Sequence, residues 1–302
     1  MQRTNNVGGR QSVGAFTLVE LLVVVSIISS LLFILVPSLN SIKNRAYYVR
    51  GMSQNKQIYS GLSSFTLDHS DRYPPSVATT GLGDQWNWYD PRRMVSVRAR
   101  SLGMPRAMSS YLGNYLEDAS LFHCPSSPDI YPNFQGIWEA RENALINKAF
   151  NGNHCFYWGY EGLLDIDNDS IPDQYFKGPK SPAGGKYYSK ILITDLYAFG
   201  CIVDNPPPNS YSCCEPLPKG SNSIGVNDIY SPTDYHWILR QSEDTERNRP
   251  KVKLKSLFID GHIEQYTNQT VTPMLVIMDR RNRTPYPSNA SPGKFFLPNT
   301  GL

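Results

Sequence analysis

Charge is scarce in this chain: Asp, Glu, Lys and Arg make up 18% of its 302 residues. The formal balance is +3, and Arg3 and Arg10 supply two of those positives before the first apolar run, leaving 3 − 2 = +1 for the rest. No concentrated basic patch stands out, which argues against nucleic acid as a partner. Histidine and cysteine are few, with five of each, and no Cys-x-x-Cys pair occurs, which removes the usual zinc spacings. There is no Gly-x-Ser-x-Gly, no P-loop and no His-Glu-x-x-His. The chain therefore reads as something other than an enzyme.

What it has instead is one long apolar run. From Leu21 to Ile42 there are 22 residues without a charge. At ~1.5 Å per residue a helix of that length reaches roughly 33 Å, enough to cross a bilayer core. Ser26, Ser29 and Ser30 can bond back to helix carbonyls and do not forbid insertion. The run ends Phe33-Ile34-Leu35-Val36-Pro37, with no small-x-small site to close it, so it does not read as a cleaved secretory signal. An uncleaved signal anchor is the stronger rival. Cations on both sides (Arg3 and Arg10 before, Lys43, Arg45, Arg50 and Lys56 after) leave the orientation open on charge alone. Elsewhere Tyr (19), Pro (23) and Gly (22) are frequent, which favours a loop-rich head with short strands over a helix bundle.

One carboxylate stands at the mouth of the run, in Gly14-Ala15-Phe16-Thr17-Leu18-Val19-Glu20-Leu21-Leu22. A charge there is costly unless something pairs with it. The stretch resembles the N-terminus of type IV prepilins and type II secretion pseudopilins. In that family a leader ending in a small residue, usually Gly, precedes Phe-Thr-Leu-(Ile/Val)-Glu-Leu and a long apolar helix. A cut between Ala15 and Phe16 makes Glu20 the fifth residue (20 − 15) and Pro37 the twenty-second (37 − 15), where the family has its glutamate and often a proline. Ala15 departs from the usual Gly, which leaves Gly14–Ala15 as a competing cut that would put Glu20 out of register.

The resemblance implies a fold, a history and a set of partners. The fold is α+β and pilin-like: a leader over 1–15, a long N-terminal helix over 16–68 with its membrane part at about 18–40, and a head over 69–302 with antiparallel sheet and long loops. A prepilin peptidase removes the leader and methylates the new amine of Phe16. The protein waits as a single-pass inner-membrane protein, N-terminus cytoplasmic and head periplasmic or extracellular. An inner-membrane assembly platform then moves it into a filament with other copies or other pilin-like subunits. There the Glu20 carboxylate pairs with the Phe16 amine of a neighbour, and a buried charge without that partner costs several kcal/mol. The bland alternative for Glu20 is a carboxylate stabilised by the dipole at a helix start.

Past Pro37 helical spacing resumes. Ile42, Ala46, Val49 and Ser53 fall at three- and four-residue steps, as do Ile58, Leu62 and Phe65. One helix from about Phe16 to Thr66 is expected, its second half packed against the head, with a weak point at Pro37 and local weakening at Gly51 and Gly61. Asp68 to Pro75 closes it. In the remaining 302 − 68 = 234 residues, Ile191–Asp195 reads as a buried strand. Lys253–Phe258 and Ile263–Tyr266 read as strands joined through a two-residue Asp260-Gly261 turn. That hairpin resembles the end of a pattern in large pilin-like proteins, a histidine followed by Asp-Gly. His236 would be the upstream histidine if Gln241–Pro250 is an insertion. A structural turn is the expected role of Asp260 and Gly261. Phe122-His123-Cys124-Pro125 and Tyr73-Pro74-Pro75 resemble the same subgroup.

Asp165-Ile166-Asp167-Asn168-Asp169-Ser170-Ile171-Pro172-Asp173 places carboxylates at positions 1, 3, 5 and 9, and the Ile171 carbonyl at position 7. Calcium takes six to eight oxygens, and alternating Asp residues on a tight loop supply them. The loop resembles the Asp-x-Asp-x-Asp-Gly repeats of extracellular calcium modules, with Ser170 in place of the turn glycine and Phe176 at position 12. A Ca2+ site at Asp165, Asp167, Asp169, Ile171 and Asp173 is the expectation, against a solvated acidic turn. Of the cysteines (Cys124, Cys155, Cys201, Cys213 and Cys214), an odd number leaves at least one outside any intrachain disulfide. The reading is a structural, low-abundance subunit of a pilus-like or pseudopilus filament. The alternative is a membrane-anchored calcium-dependent binding protein or enzyme that borrows a pilin-type anchor.

Overall fold

A single α-helix, α1, runs from Leu18 to Asp68. It belongs to a computed structural model that describes residues 17–79, 91–95, 105, 107–125, 134–141, 150–167, 171–200, 209–212, 223–227, 235–240, 253–267, 270–279, 284–285 and 294–302. The chain divides into two compact units, Met1–Ala46 and Tyr47–Leu302. In the first, Leu18–Val36 is long and apolar enough to cross a membrane, and none of it is buried within the chain. Ser26 and Ser30 satisfy their hydroxyls on the carbonyls of Val23 and Ile27, each at 2.8 Å. The helical backbone continues through Pro37.

The second unit begins on the same helix. Ile58, Leu62 and Phe65 share one face and are buried. The earlier members of the pattern differ: Ile42, Val49 and Ser53 are exposed, because periodicity marks a face without saying what covers it. Gly51 and Gly61 do not interrupt the helix. They sit where it passes closest to its neighbours: a Cβ on Gly51 would lie 3.1 Å from Lys255 Cε, and one on Gly61 would lie 2.5 Å from Leu116 Cδ2. The helix ends where Ser70 and Asp71 turn left-handed (φ 54° and 56°) and the Asp71 N–H returns to the Thr66 carbonyl at 2.9 Å. His69 stacks on Phe65, and its Nδ1 meets the Phe65 carbonyl at 2.8 Å.

Beyond α1 the chain is mostly short strand. In order these are β1 (Arg93–Val95), β2 (Phe150–Asn151), β3 (His154–Phe156), β4 (Glu161–Leu164), β5 (Gln174–Lys177), β6 (Ile191–Asp195), β7 (Tyr197–Gly200) and β8 (Asn209–Ser212). Then follow β9 (Ser223–Asn227), β10 (Tyr235–Arg240), β11 (Lys253–Phe258), β12 (Ile263–Thr267), β13 (Val271–Leu275), β14 (Ile277–Asp279), β15 (Thr284–Pro285) and β16 (Lys294–Pro298). Two short helices, α2 (Met108–Leu112) and α3 (Phe134–Ala140), and a 3-10 turn at Ala119–Phe122 lie between β1 and β2. An eight-stranded sheet has the order β5-β4-β13-β16-β7-β8-β10-β9, and a four-stranded sheet the order β12-β11-β6-β3. Every pairing is antiparallel. The class is thus a long helix with antiparallel sheet.

The four-stranded sheet positions everything else. On one face a cross-strand row, Ile263, Leu257, Ile193 and Phe156, packs into a core with Ile58, Leu62, Leu112, Phe122 and Trp138. On the other, Cys155, Tyr157 and Phe258 join Leu163, Phe176, Met274 and Phe295 of the eight-stranded sheet in a second core. Both layers are sealed by aromatic and branched side chains, the usual filling of a sheet covered on two faces.

The β11–β12 hairpin corrects one expectation. Its turn has three residues, Ile259 to Gly261, and not two. Gly261 N–H bonds to the Phe258 carbonyl at 2.9 Å, and Phe258 N–H bonds to the His262 carbonyl at 3.1 Å. Gly261 alone in the turn is left-handed, at φ +79°. A two-residue Asp-Gly turn of the type expected would need positive φ at both residues, whereas a type I turn closed by a left-handed glycine needs it only at the second.

Candidate functional site

Three places carry chemistry. The first is the start of α1. Thr17 is the N-cap and Glu20 the third helical residue, and they close a reciprocal capping box. Glu20 N–H bonds to Thr17 Oγ1 at 3.2 Å. In return Glu20 Oε2 accepts from the Thr17 N–H at 2.9 Å and from its hydroxyl at 2.8 Å. The bland expectation for Glu20, stabilisation at a helix start, thus has a concrete form here. It engages one carboxylate oxygen. Ala15 and Phe16 lie outside the described residues.

The second is the loop between β4 and β5. Asp165, Asp167 and Asp173 each place a carboxylate oxygen within 4.8 Å of the others. The ladder sets this up: Leu164 pairs with Gln174, Asp173 N–H bonds to the Leu164 carbonyl at 2.8 Å, and Asp165 N–H bonds to the Pro273 carbonyl at 3.0 Å. Asp165 is fully buried, while Asp167 and Asp173 are exposed. Asp173 Oδ2 also accepts the Ile166 N–H at 2.5 Å. An all-oxygen, triply carboxylate donor set suits a hard cation. Asp169 lies outside the described residues, and Ile171 shows an exposed side chain (64%).

The third was not anticipated from the sequence. One step along the sheet from the Leu257–Ile193–Phe156 row, the same face carries Lys255, Asp195 and His154, all buried. Lys255 Nζ lies 2.8 Å from Asp195 Oδ2, and the Lys255 backbone N–H donates to the same oxygen at 2.9 Å. His154 Nδ1 is 3.5 Å from Asp195 Oδ1, an electrostatic contact rather than a hydrogen bond. From α1 the Tyr48 ring covers Lys255, with Nζ 5.0 Å from its centroid. Burial alone would raise the Asp195 carboxyl, but the Lys255 ammonium and the His154 ring outweigh it and hold it well below the ordinary carboxylate range. Beside this row, His123 Nδ1 meets Asn153 Oδ1 at 3.0 Å, and burial pushes His123 below its usual value near 6.5. The three side chains are almost wholly buried, which fits a structural role.

Other sequence candidates lie on separate elements or settle into packing. His236 is on β10 of the eight-stranded sheet, whereas Asp260 and Gly261 form the turn of the four-stranded one. Asp260 bonds instead to His262, with Nδ1 at 2.5 Å from Oδ1, and His262 stacks on Phe258. Cys124 and Cys155 are buried thiols of the second core. Cys201, Cys213 and Cys214 lie outside the described residues, as does Gln241–Pro250. Compared with known proteins, the chain matches no family model, no curated protein and no solved structure.

Proposed function

We propose that the chain is a membrane-anchored, pilin-like subunit of a type IV pilus-like or type II secretion pseudopilus filament. On this reading a prepilin peptidase cuts between Ala15 and Phe16 and methylates the new amine. The observation that carries it is the exposed apolar helix from Leu18 with a single carboxylate, Glu20, in its first turn. A simple anchor would use that charge only to cap its own helix through Thr17. Glu20 spends one oxygen on Thr17 and keeps Oε1 for a partner outside its own helix, the amine of Phe16 on a neighbouring copy. The head stays in the membrane's outer compartment until an assembly platform lifts the subunit into the filament.

Intact-mass analysis of the membrane form tests the first step. A chain beginning at methylated Phe16 fits; one still beginning at Met1 overturns the reading. Glu20→Ala is expected to abolish filament incorporation and spare membrane insertion. A second reading, a calcium-dependent binding protein on the same anchor, draws on the Asp165, Asp167 and Asp173 cluster. It predicts that calcium, and not processing, controls what the head captures.

A further inference from the structure

The buried row is poorly completed as an ion pair. Ser256 pairs with Thr194, so Lys255 on β11 falls directly opposite Asp195 on β6, and His154 on β3 pairs with Asp195 from the other side. Side-chain exposure is 3% for Lys255 and 0% for Asp195 and His154. A buried ion pair offsets its desolvation only when its remaining lone pairs and protons are also satisfied. Here Asp195 Oδ2 takes both bonds, from Lys255 Nζ at 2.8 Å and from the Lys255 backbone N–H at 2.9 Å. Asp195 Oδ1 accepts no hydrogen bond among the described residues, and neither ring nitrogen of His154 makes one. Buried polar atoms left in this state are uncommon and call for an explanation.

The same arrangement fits a reaction. A primary amine stands within hydrogen-bond distance of a carboxyl, and packed strands hold both in place in a dry core. Nζ is confined from α1: the Tyr48 ring centroid lies 5.0 Å from it, and a Cβ on Gly51 would come within 3.3 Å. Oδ2 already has a backbone donor, which is what a developing oxyanion needs. Oδ1 has no such bond, and His154 Nδ1, 3.5 Å away, is placed to bring it protons.

We propose that the side chains of Lys255 and Asp195 condense to an amide that cross-links β11 to β6. The Nζ lone pair forms the Nζ–Cγ bond, and negative charge gathers on Oδ2 under the Lys255 N–H. The Cγ–Oδ1 bond then breaks. Of the three ammonium hydrogens one stays on the amide nitrogen and two end on Oδ1, which leaves as water. His154 Nδ1 hands them to Oδ1 and is reprotonated from the amine. Nothing is oxidised or reduced, and no co-reactant is consumed. The product removes two charges from the core, and with them their desolvation. It also closes a loop between partners 60 residues apart, which restricts the unfolded chain. Before closure the pair is the ion pair described above, with its own pH dependence; closure abolishes that dependence. The cross-link does not depend on the filament reading, since no step involves Phe16 or Glu20.

The test holds the full, folded chain in detergent micelles at neutral pH, then unfolds it and digests it with trypsin for tandem mass spectrometry. The expected result is one branched peptide joining Asp195 to Lys255, lighter by one water than its two parts, with no cleavage after Lys255. Lys255→Met and Asp195→Ala are expected to give no joined peptide. His154→Gln is expected to lower the joined fraction at least about tenfold after the same incubation, with circular dichroism unchanged. Separate peptides of full mass from the unaltered chain overturn the proposal and leave an ion pair only; this measurement needs no variant and stands even where the variants do not fold. A water loss that maps to Asp260-Gly261, where an aspartate can cyclise onto the next backbone nitrogen, also overturns it. So does a joined peptide that persists in Asp195→Ala. An unchanged joined fraction in His154→Gln overturns the proton relay.

Discussion

Tyr59 occupies the space that a side chain at position 261 would need. A Cβ on Gly261 would lie 2.6 Å from Tyr59 Cε1, and Gly261 is already left-handed. The contact ties helix to hairpin, because the Tyr59 hydroxyl also donates to the Ile259 carbonyl at 3.2 Å and Lys56 Nζ donates to the Gly261 carbonyl.

Gly261→Ala therefore meets two obstacles at once, backbone strain and a ring that is held from both sides. A loss of roughly 1–3 kcal/mol is expected. Thermal melting of the full chain in detergent checks it, with a fall of about 2–4 °C for each kcal/mol. Tyr59→Ala added to Gly261→Ala should not cost the sum of the two, since the clash disappears with the ring.

Removing Asp195 strands a buried ammonium. Asp195→Ala is expected to destabilise the second unit by about 3–5 kcal/mol. Replacing both members, Lys255→Met with Asp195→Leu, should cost much less than Asp195→Ala alone. Chemical denaturation of the single and double variants gives the coupling between them.

The pH dependence has two parts. The Asp195 carboxyl is held below its unfolded value of about 3.9, so its contribution is complete above that pH and is lost as pH falls further. The buried His123 is pushed below 6.5, so the fold favours its neutral ring. That contribution is complete above about pH 6.5 and declines on acidification from there. Melting temperature is therefore expected to drop between pH 7 and 5, less so in His123→Gln, and again below pH 4, less so in Asp195→Asn.

If a hard cation sits among Asp165, Asp167 and Asp173, calcium at 100 times its dissociation constant raises stability by about 2.7 kcal/mol. The melting temperature should rise with calcium in the unaltered chain and not in Asp167→Ala. No response of the unaltered chain would sink the cation site.

What could be read from the sequence was local. Ile58, Leu62 and Phe65 announce a buried helix face by spacing alone, and Ile191–Asp195 and Lys253–Phe258 announce strands by apolar content over five or six residues. The strands from β1 to β5 have two to four residues each, too few for any period to register. The acidic loop was legible because its carboxylates are neighbours in sequence. The Lys255–Asp195–His154 row was not, because Lys255 lies 60 residues from Asp195 and only strand order brings them together. The capping box was in plain view as Thr-x-x-Glu, but a glutamate beside a membrane run draws attention to distant partners before near ones.

The charged row also has a meaning for how the sheet finds its pairing. Side chains along a strand alternate, so sliding β6 by one residue against β11 would turn Asp195 toward Tyr157 and Phe258 and leave Lys255 facing a hydroxyl, Thr194. An all-apolar face tolerates such a slip with little penalty. Here a misaligned sheet would have to hold a lone carboxylate in one core and a lone ammonium in the other. One ion pair thus works as a check on alignment for two strands, β6 and β11, that the chain makes far apart in time.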